Sequence, residues 1–291
     1  TAVGYAALQH STSGNNTAVG HYAGLNNEEG EYNTFVGRSA GAGTTSGDGR
    51  LDGDYNTLIG YGAGIVIQGA ANKNTIMGAL AGYNLTTGVY NTVMGYNAGN
   101  DITDGEYNTL IGSTAGDGIT TGDRNIAIGY GAMGIAQDVD RCVAIGYAAF
   151  DACNSSDADG TVAIGYYALS DNTSGQYNTA IGYHALKDNT IGNYNTAVGY
   201  LALENFVSDA GAGDTGIGGN TALGFKAGFD LATGEKNAFI GTDAGVDLTT
   251  GKYNTVLGWH AFDAADGSES YNTAIGYQAL SNQDADGNNW N

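Results

Sequence analysis

Proline is absent from this 291-residue chain, cysteine occurs twice, and nine Lys and Arg face thirty Asp and Glu. With no pyrrolidine ring to preset a turn, tight turns fall to the 50 glycines. Cys142 and Cys153 are too few for a disulfide framework and lack the CxxC pairs and partnering histidines of a zinc site. A bridge between them and two buried free thiols are both open readings. The net charge of −21 leaves little to neutralise phosphates, which excludes nucleic acid and anionic membrane as partners. Associated copies of so acidic a chain would repel, and saline surroundings would screen that repulsion. No run of about 18 apolar residues exists, so no membrane insertion is expected in this segment.

What the chain has is one phrase written sixteen times, typified by Tyr-Asn-Thr-Ala-Ile-Gly-Tyr-His-Ala-Leu from Tyr177 to Leu186. Its anchor glycine falls at 4, 20, 37, 60, 78, 95, 112, 129, 146, 165, 182, 199, 224, 241, 258 and 276, and nine of the fifteen spacings are 17 residues. So short a unit cannot bury an apolar face alone and must stack on its neighbours. The expectation is an all-β parallel β-solenoid or β-roll of 16 stacked coils, one repeat domain over 1–291. Because the chain opens and stops near the middle of repeats, it reads as a fragment of a longer fibre.

Positions are numbered from the anchor glycine. Position −1 is Val, Ile, Leu or Met in every copy, and position −3 is Thr in twelve copies, otherwise Ile126, Val143, Val162 or Ala238. Period-two alternation puts both on one strand face, and the replacement of Thr by Val or Ile predicts that this face points inward. Position −2, on the opposite face, is also apolar throughout. Two apolar faces predict a second contact, most simply with identical chains around a common axis.

Position +4 is either Gly or large, and its choice mirrors position −2. Six copies pair a large residue with Gly, as in Leu110 with Gly116, and seven pair Ala with a large residue, as in Ala180 with Leu186. The two positions are therefore expected to fill one shared space. Ala occupies position +3 in all sixteen copies, as a crowded packing site would require. Asn occupies position −4 in thirteen of fifteen copies, which predicts an amide ladder closing a turn. Seventeen of the twenty tyrosines stand at −5 or +1, which suits aromatic ladders on the coil edge better than a sugar-stacking stripe.

The strings Cys-Val-Ala-Ile-Gly at Cys142 to Gly146 and Thr-Val-Ala-Ile-Gly at Thr161 to Gly165 resemble the head repeats of trimeric autotransporter adhesins. The commoner Tyr-Asn-Thr-Ala-Val-Gly-Tyr form is similar to repeats in bacteriophage tail fibres. The resemblance implies a left-handed parallel β-roll, a homotrimer and an extracellular location on a virion fibre or bacterial surface. The expected role is that of a structural and adhesive segment that attaches to a cell-surface glycan or protein receptor. The adhesin head repeat is shorter than 17 residues, so this coil needs a longer turn or another cross-section.

Specificity should lie where the repeat is interrupted. Insertions near 42–54 and 204–219 make Asp48, Asp52, Asp54, Phe206, Asp209 and Asp214 the candidate ligand residues. Asp-Ala-Asp-Gly at Asp157 to Gly160 and at Asp284 to Gly287 lacks the third Asp and terminal Glu of an EF-hand loop, so no metal or other cofactor is expected. His10, His21, His184 and His260 fall in different copies without a repeated Ser or Asp partner, so the chain is not expected to be an enzyme. The alternatives are a glycan-cleaving, tailspike-like enzyme using carboxylates paired across chains, and an ice-binding solenoid, which would need the Thr column exposed and flat.

Overall fold

The computed structural model describes residues 1–43, 50–153, 155, 158–208, 218–263 and 268–281. Each coil contributes one short strand, and among the described residues there is no α-helix. The chain divides into two compact units, Thr1–Cys142 and Val143–Asn291. The first holds β1 (Ala2–Val3), β2 (Thr17–Val19), β3 (Thr34–Val36), β4 (Thr57–Ile59), β5 (Thr75–Met77), β6 (Thr92–Met94), β7 (Thr109–Ile111) and β8 (Ile126–Ile128). The second holds β9 (Val143–Ile145), β10 (Val162–Ile164), β11 (Thr179–Ile181), β12 (Thr196–Val198), β13 (Thr221–Leu223), β14 (Ala238–Ile240), β15 (Thr255–Leu257) and β16 (Thr273–Ile275). Within each unit successive strands pair in parallel and in repeat register, as in Thr92 with Thr109 and Ala180 with Ala197. This is the parallel β-solenoid that the spacing predicts.

Strands stop at three residues because the anchor glycine leaves the β region, with φ between 126° and 144°. Only glycine fits there: a Cβ on Gly95 would lie 2.6 Å from the carbonyl carbon of Gly112 in the next coil. Positions −5, +2 and +4 also take positive φ, including Tyr107 (58°), Thr114 (54°) and Leu186 (54°). Left-handed backbone at non-glycine residues costs about 1 kcal/mol each or more. Hydrogen bonds between coils hold it, since Tyr107 N donates to Val89 O, Thr114 N to Tyr96 O and Leu186 N to Ala202 O.

The strand faces are the reverse of the expectation. Position −2 points into the coil, and Ala18, Phe35, Leu58, Leu110, Ala180 and Phe239 are all fully buried. Positions −3 and −1 point outward and are half-buried or exposed, with Val19, Ile181, Ile240 and Leu257 each at least 37% exposed. Position −2 therefore finds its apolar surroundings within one chain, and the Thr and aliphatic face is the one left without a cover.

The shared space between −2 and +4 is present. A Cβ on Gly116 would stand 2.7 Å from Leu110 Cδ2, and one on Gly82 2.9 Å from Ile76 Cδ1. Two copies that break the pairing rule, Ala18 with Gly24 and Ala222 with Gly228, show that the space also runs between coils. A Cβ on Gly24 would meet Phe35 of the next coil at 2.6 Å and Leu8 of the previous one at 2.9 Å. One on Gly228 would meet Phe239 and Leu203 in the same way. The third exception, Val256 with Phe262, has both positions filled and pairs with Ala274. Position +3 is buried alanine from Ala23 to Ala261, and position +7 completes the core with residues such as Leu85, Ile102, Cys153 and Phe206.

The Asn column closes the coil. Asn108 Oδ1 accepts the backbone N–H of Asn125 at 2.9 Å, and its Nδ2 donates to Gly122 O at 2.8 Å. Both partners lie in the following coil. The same two bonds recur from Asn56 to Asn74 N and Ala71 O, and from Asn237 to Asn254 N and Gly251 O. Cys142 takes the Asn position in one coil, with its N–H donated to Asn125 Oδ1, and Thr161 takes it in another, where its buried hydroxyl has no hydrogen-bond partner.

Candidate functional site

Two insertions were the sequence's candidates for a ligand site, and the structure distributes their residues differently. Asp52 is exposed. Asp54 is a structural rung: its Oδ1 accepts Glu31 N at 2.7 Å, and its own N–H is donated to Asn72 Oδ1 at 2.6 Å. Phe206 is fully buried at position +7 and is not presented to a ligand. Asp48, Asp209 and Asp214 lie outside the described residues, as do Asp157 and the motif from Asp284 to Gly287. The visible part of the first insertion rejoins the coil through Leu51, which is fully buried and bridges Asn27 and Gly69.

Asp54 belongs to a ladder that the sequence reading missed. At position −6 a side-chain oxygen accepts the N–H of the same position one coil earlier: Asp123 for Glu106, Asp140 for Asp123 and Asn193 for Gln176. A second kind of ladder is made by Thr86 and Thr103 in the first unit and by Thr173 and Thr190 in the second, whose hydroxyls donate to carbonyls one coil on. The signal was the recurrence of Asp, Asn or Thr at fixed positions, since short oxygen-bearing side chains bond to nearby backbone.

The broad surface feature is the outer strand face, positions −3 and −1, with the exposed positions −5 and +1 before and after it. Tyrosines edge it in two stacked columns. At −5, Tyr90 and Tyr107 stack at 4.8 Å and Tyr253 and Tyr271 at 4.9 Å. At +1, Tyr166, Tyr183, Tyr200 and Phe225 form a continuous stack with spacings of 5.1 to 5.4 Å. A ring stacked on both sides offers a ligand only its edge, so a continuous ladder is a poor platform for a sugar face. Basic residues cap several rings, with Lys73 Nζ 4.7 Å from the Tyr90 centroid and Arg124 5.5 Å from that of Tyr107.

The histidines make local pairs. His184 Nδ1 lies 2.7 Å from Glu204 Oε1. His260 is held at both ring nitrogens, Nε2 by Asp243 at 3.1 Å and Nδ1 by Asp263 at 2.8 Å. A histidine engaged by carboxylates on both sides has no nitrogen left to exchange a proton with a substrate. Beside it, burial first, then Asp230, Asp263 and Asp243, push the Asp247 carboxyl upward. Burial, followed by Asp101, does the same to Asp117, whereas hydroxyls of Thr121 and Thr120 lower Asp138. Among the described residues no group of three His, Cys, Asp or Glu is placed to hold a metal ion. Cys142 and Cys153 are free and buried, and burial pushes the Cys153 thiol up to about 11.

No helix among the described residues is long and apolar enough to cross a membrane. Neither a family model, nor a curated protein, nor a solved structure matches the chain.

Proposed function

We propose that this chain is a structural and adhesive segment of an extracellular homotrimeric fibre, of the phage tail-fibre or bacterial surface adhesin kind, and that it acts without catalysis. The observation that supports the reading is the outer face of the strands within each unit, β2 to β8 and β9 to β16. It carries a β-branched or aliphatic residue in every coil, each at least partly open to water, and apolar area of this extent is what association would cover. Three equivalent surfaces would also raise avidity for a repeated receptor on a cell surface, glycan or protein. Light scattering at high and low salt should return about three times 29.6 kDa. Ile181→Lys, on the exposed face of β11, should shift that mass toward one chain without loss of β structure. A folded 29.6 kDa monomer would overturn the trimer.

The outward Thr column favours one further reading, since regularly spaced hydroxyls on a parallel sheet can order water and bind ice. Tyrosines standing on both sides of that column, together with Ile126, Val143, Val162 and Ala238 within it, break the flatness such binding needs. The fibre reading therefore predicts no freezing hysteresis at millimolar protein, and a measurable gap between melting and freezing would reverse the order of the two.

A further inference from the structure

The +1 column is not continuous everywhere. In three successive coils of the first unit it reads Tyr61, Ala79, Tyr96, so the middle rung has no ring. Tyr96 makes no ring contact among the described residues, and the one ring contact of Tyr61 is with Arg38, whose guanidinium carbon lies 5.7 Å from the centroid. Both rings are more open than those of the continuous stack, at 53% and 60% exposed against 40% for Tyr183. Two coil steps of about 4.8 Å separate their backbones by about 9.6 Å. That leaves the thickness of one rung between the rings, over Ala79 and beside outward Met77.

The −5 column of the same three coils also lacks its middle ring. At position −5 they carry Tyr55, Lys73 and Tyr90, and the missing ring is replaced by a cation. The Lys73 ammonium bonds the Tyr90 hydroxyl at 2.7 Å and lies 4.7 Å from the ring centroid, at the hydroxyl edge of the ring. At +1 the small Ala79 supplies no such group. The chain as a whole carries a charge of −21, so a cation is also the species that its field draws in.

We propose that the interval between Tyr61 and Tyr96 is a binding slot for a quaternary ammonium ion. A quaternary ammonium is weakly hydrated, so it loses little on meeting the apolar floor, and its methyl groups contact a tyrosine face on each side. A primary ammonium would go instead to a tyrosine hydroxyl, as Lys73 does at Tyr90. The proposal is independent of the fibre assignment.

The test is a titration of the whole chain with tetramethylammonium at constant ionic strength, followed through the assigned ring resonances of Tyr61 and Tyr96. Saturable shifts at both rings are expected, with Kd on the order of 10 mM, as two solvent-accessible cation–π contacts allow. Ala79→Tyr should complete the ladder, keep the fold because neighbouring coils carry Tyr there, and weaken binding at least tenfold. Tyr96→Leu removes one wall at an exposed position and should do the same. The neutral isostere 3,3-dimethylbutan-1-ol should bind at least fivefold more weakly. Unsaturated shifts throughout, binding unaffected by Ala79→Tyr, or equal binding of the neutral compound would each overturn the proposal.

Discussion

Replacing Leu186 by glycine is expected to cost about 3 kcal/mol, and adding Ala180→Leu in the same chain to recover a large part of it. Burial lost from a leucine cavity is about 3–5 kcal/mol, and relief of the left-handed backbone at Leu186 (φ 54°) returns about 1. Ala180 and Leu186 are both fully buried. The Leu110 and Gly116 coil shows the alternative filling, with no room for a Cβ opposite the leucine. Stability from urea unfolding, with amide exchange of β11 and its neighbours as the local readout, gives the double-mutant cycle. The cycle should show coupling of at least about 1 kcal/mol. Additive losses would mean that the two positions do not share a space. Because the space also runs between coils, as Gly24 with Phe35 and Leu8 shows, the rescue should be weaker where both neighbours are already large.

Asn108→Ala should be as damaging by a different route. The side chain is buried and serves the next coil twice, at Asn125 N and Gly122 O. Its removal leaves a buried donor and a buried acceptor unpaired, at about 1–3 kcal/mol each, for a loss of about 3–5 kcal/mol. Asn108→Asp separates the two roles. It keeps the acceptor for Asn125 N–H, and only its protonated form can donate to Gly122 O. Burial raises the carboxyl of such an aspartate, so the folded state binds its proton more tightly than the unfolded state. Stability should then fall as pH rises from the unfolded value through the raised folded one, and Asn108→Asp should be closest to wild type in acid. Thermal unfolding at pH 4 and pH 7 measures this. Equal losses at both would show that the donor half of the rung carries no weight.

The repeat, the coil, the anchor glycine, the Asn ladder and the volume exchange were all legible in the residues. The facing of the strand was not. Alternation separates −3 and −1 from −2 but does not say which set is inside. Thr interchanging with Val or Ile is as much at home on a half-exposed sheet surface as in a core. The deciding signal was present in two other columns. An Asn that closes a turn from within has the same parity as −2, and a position whose volume is traded against a neighbour's has to be enclosed. The candidate site was less legible because an inserted loop says nothing of where each side chain points. Asp54 continues a backbone ladder and Phe206 continues the core, so only Asp52 of the described candidates is left to solvent.

The Asn ladder also gives the stack a polarity. In rungs such as Asn91 the amide oxygen accepts from, and Nδ2 donates to, the coil that follows, while in others, such as Asn74, Nδ2 also donates back to the Asn of the coil before. The two ends of a stack are therefore unlike: a last coil presents an amide oxygen still to be matched, and a first coil an N–H still to be matched. Each coil added to either end of such a stack renews the same unmatched group for the next one.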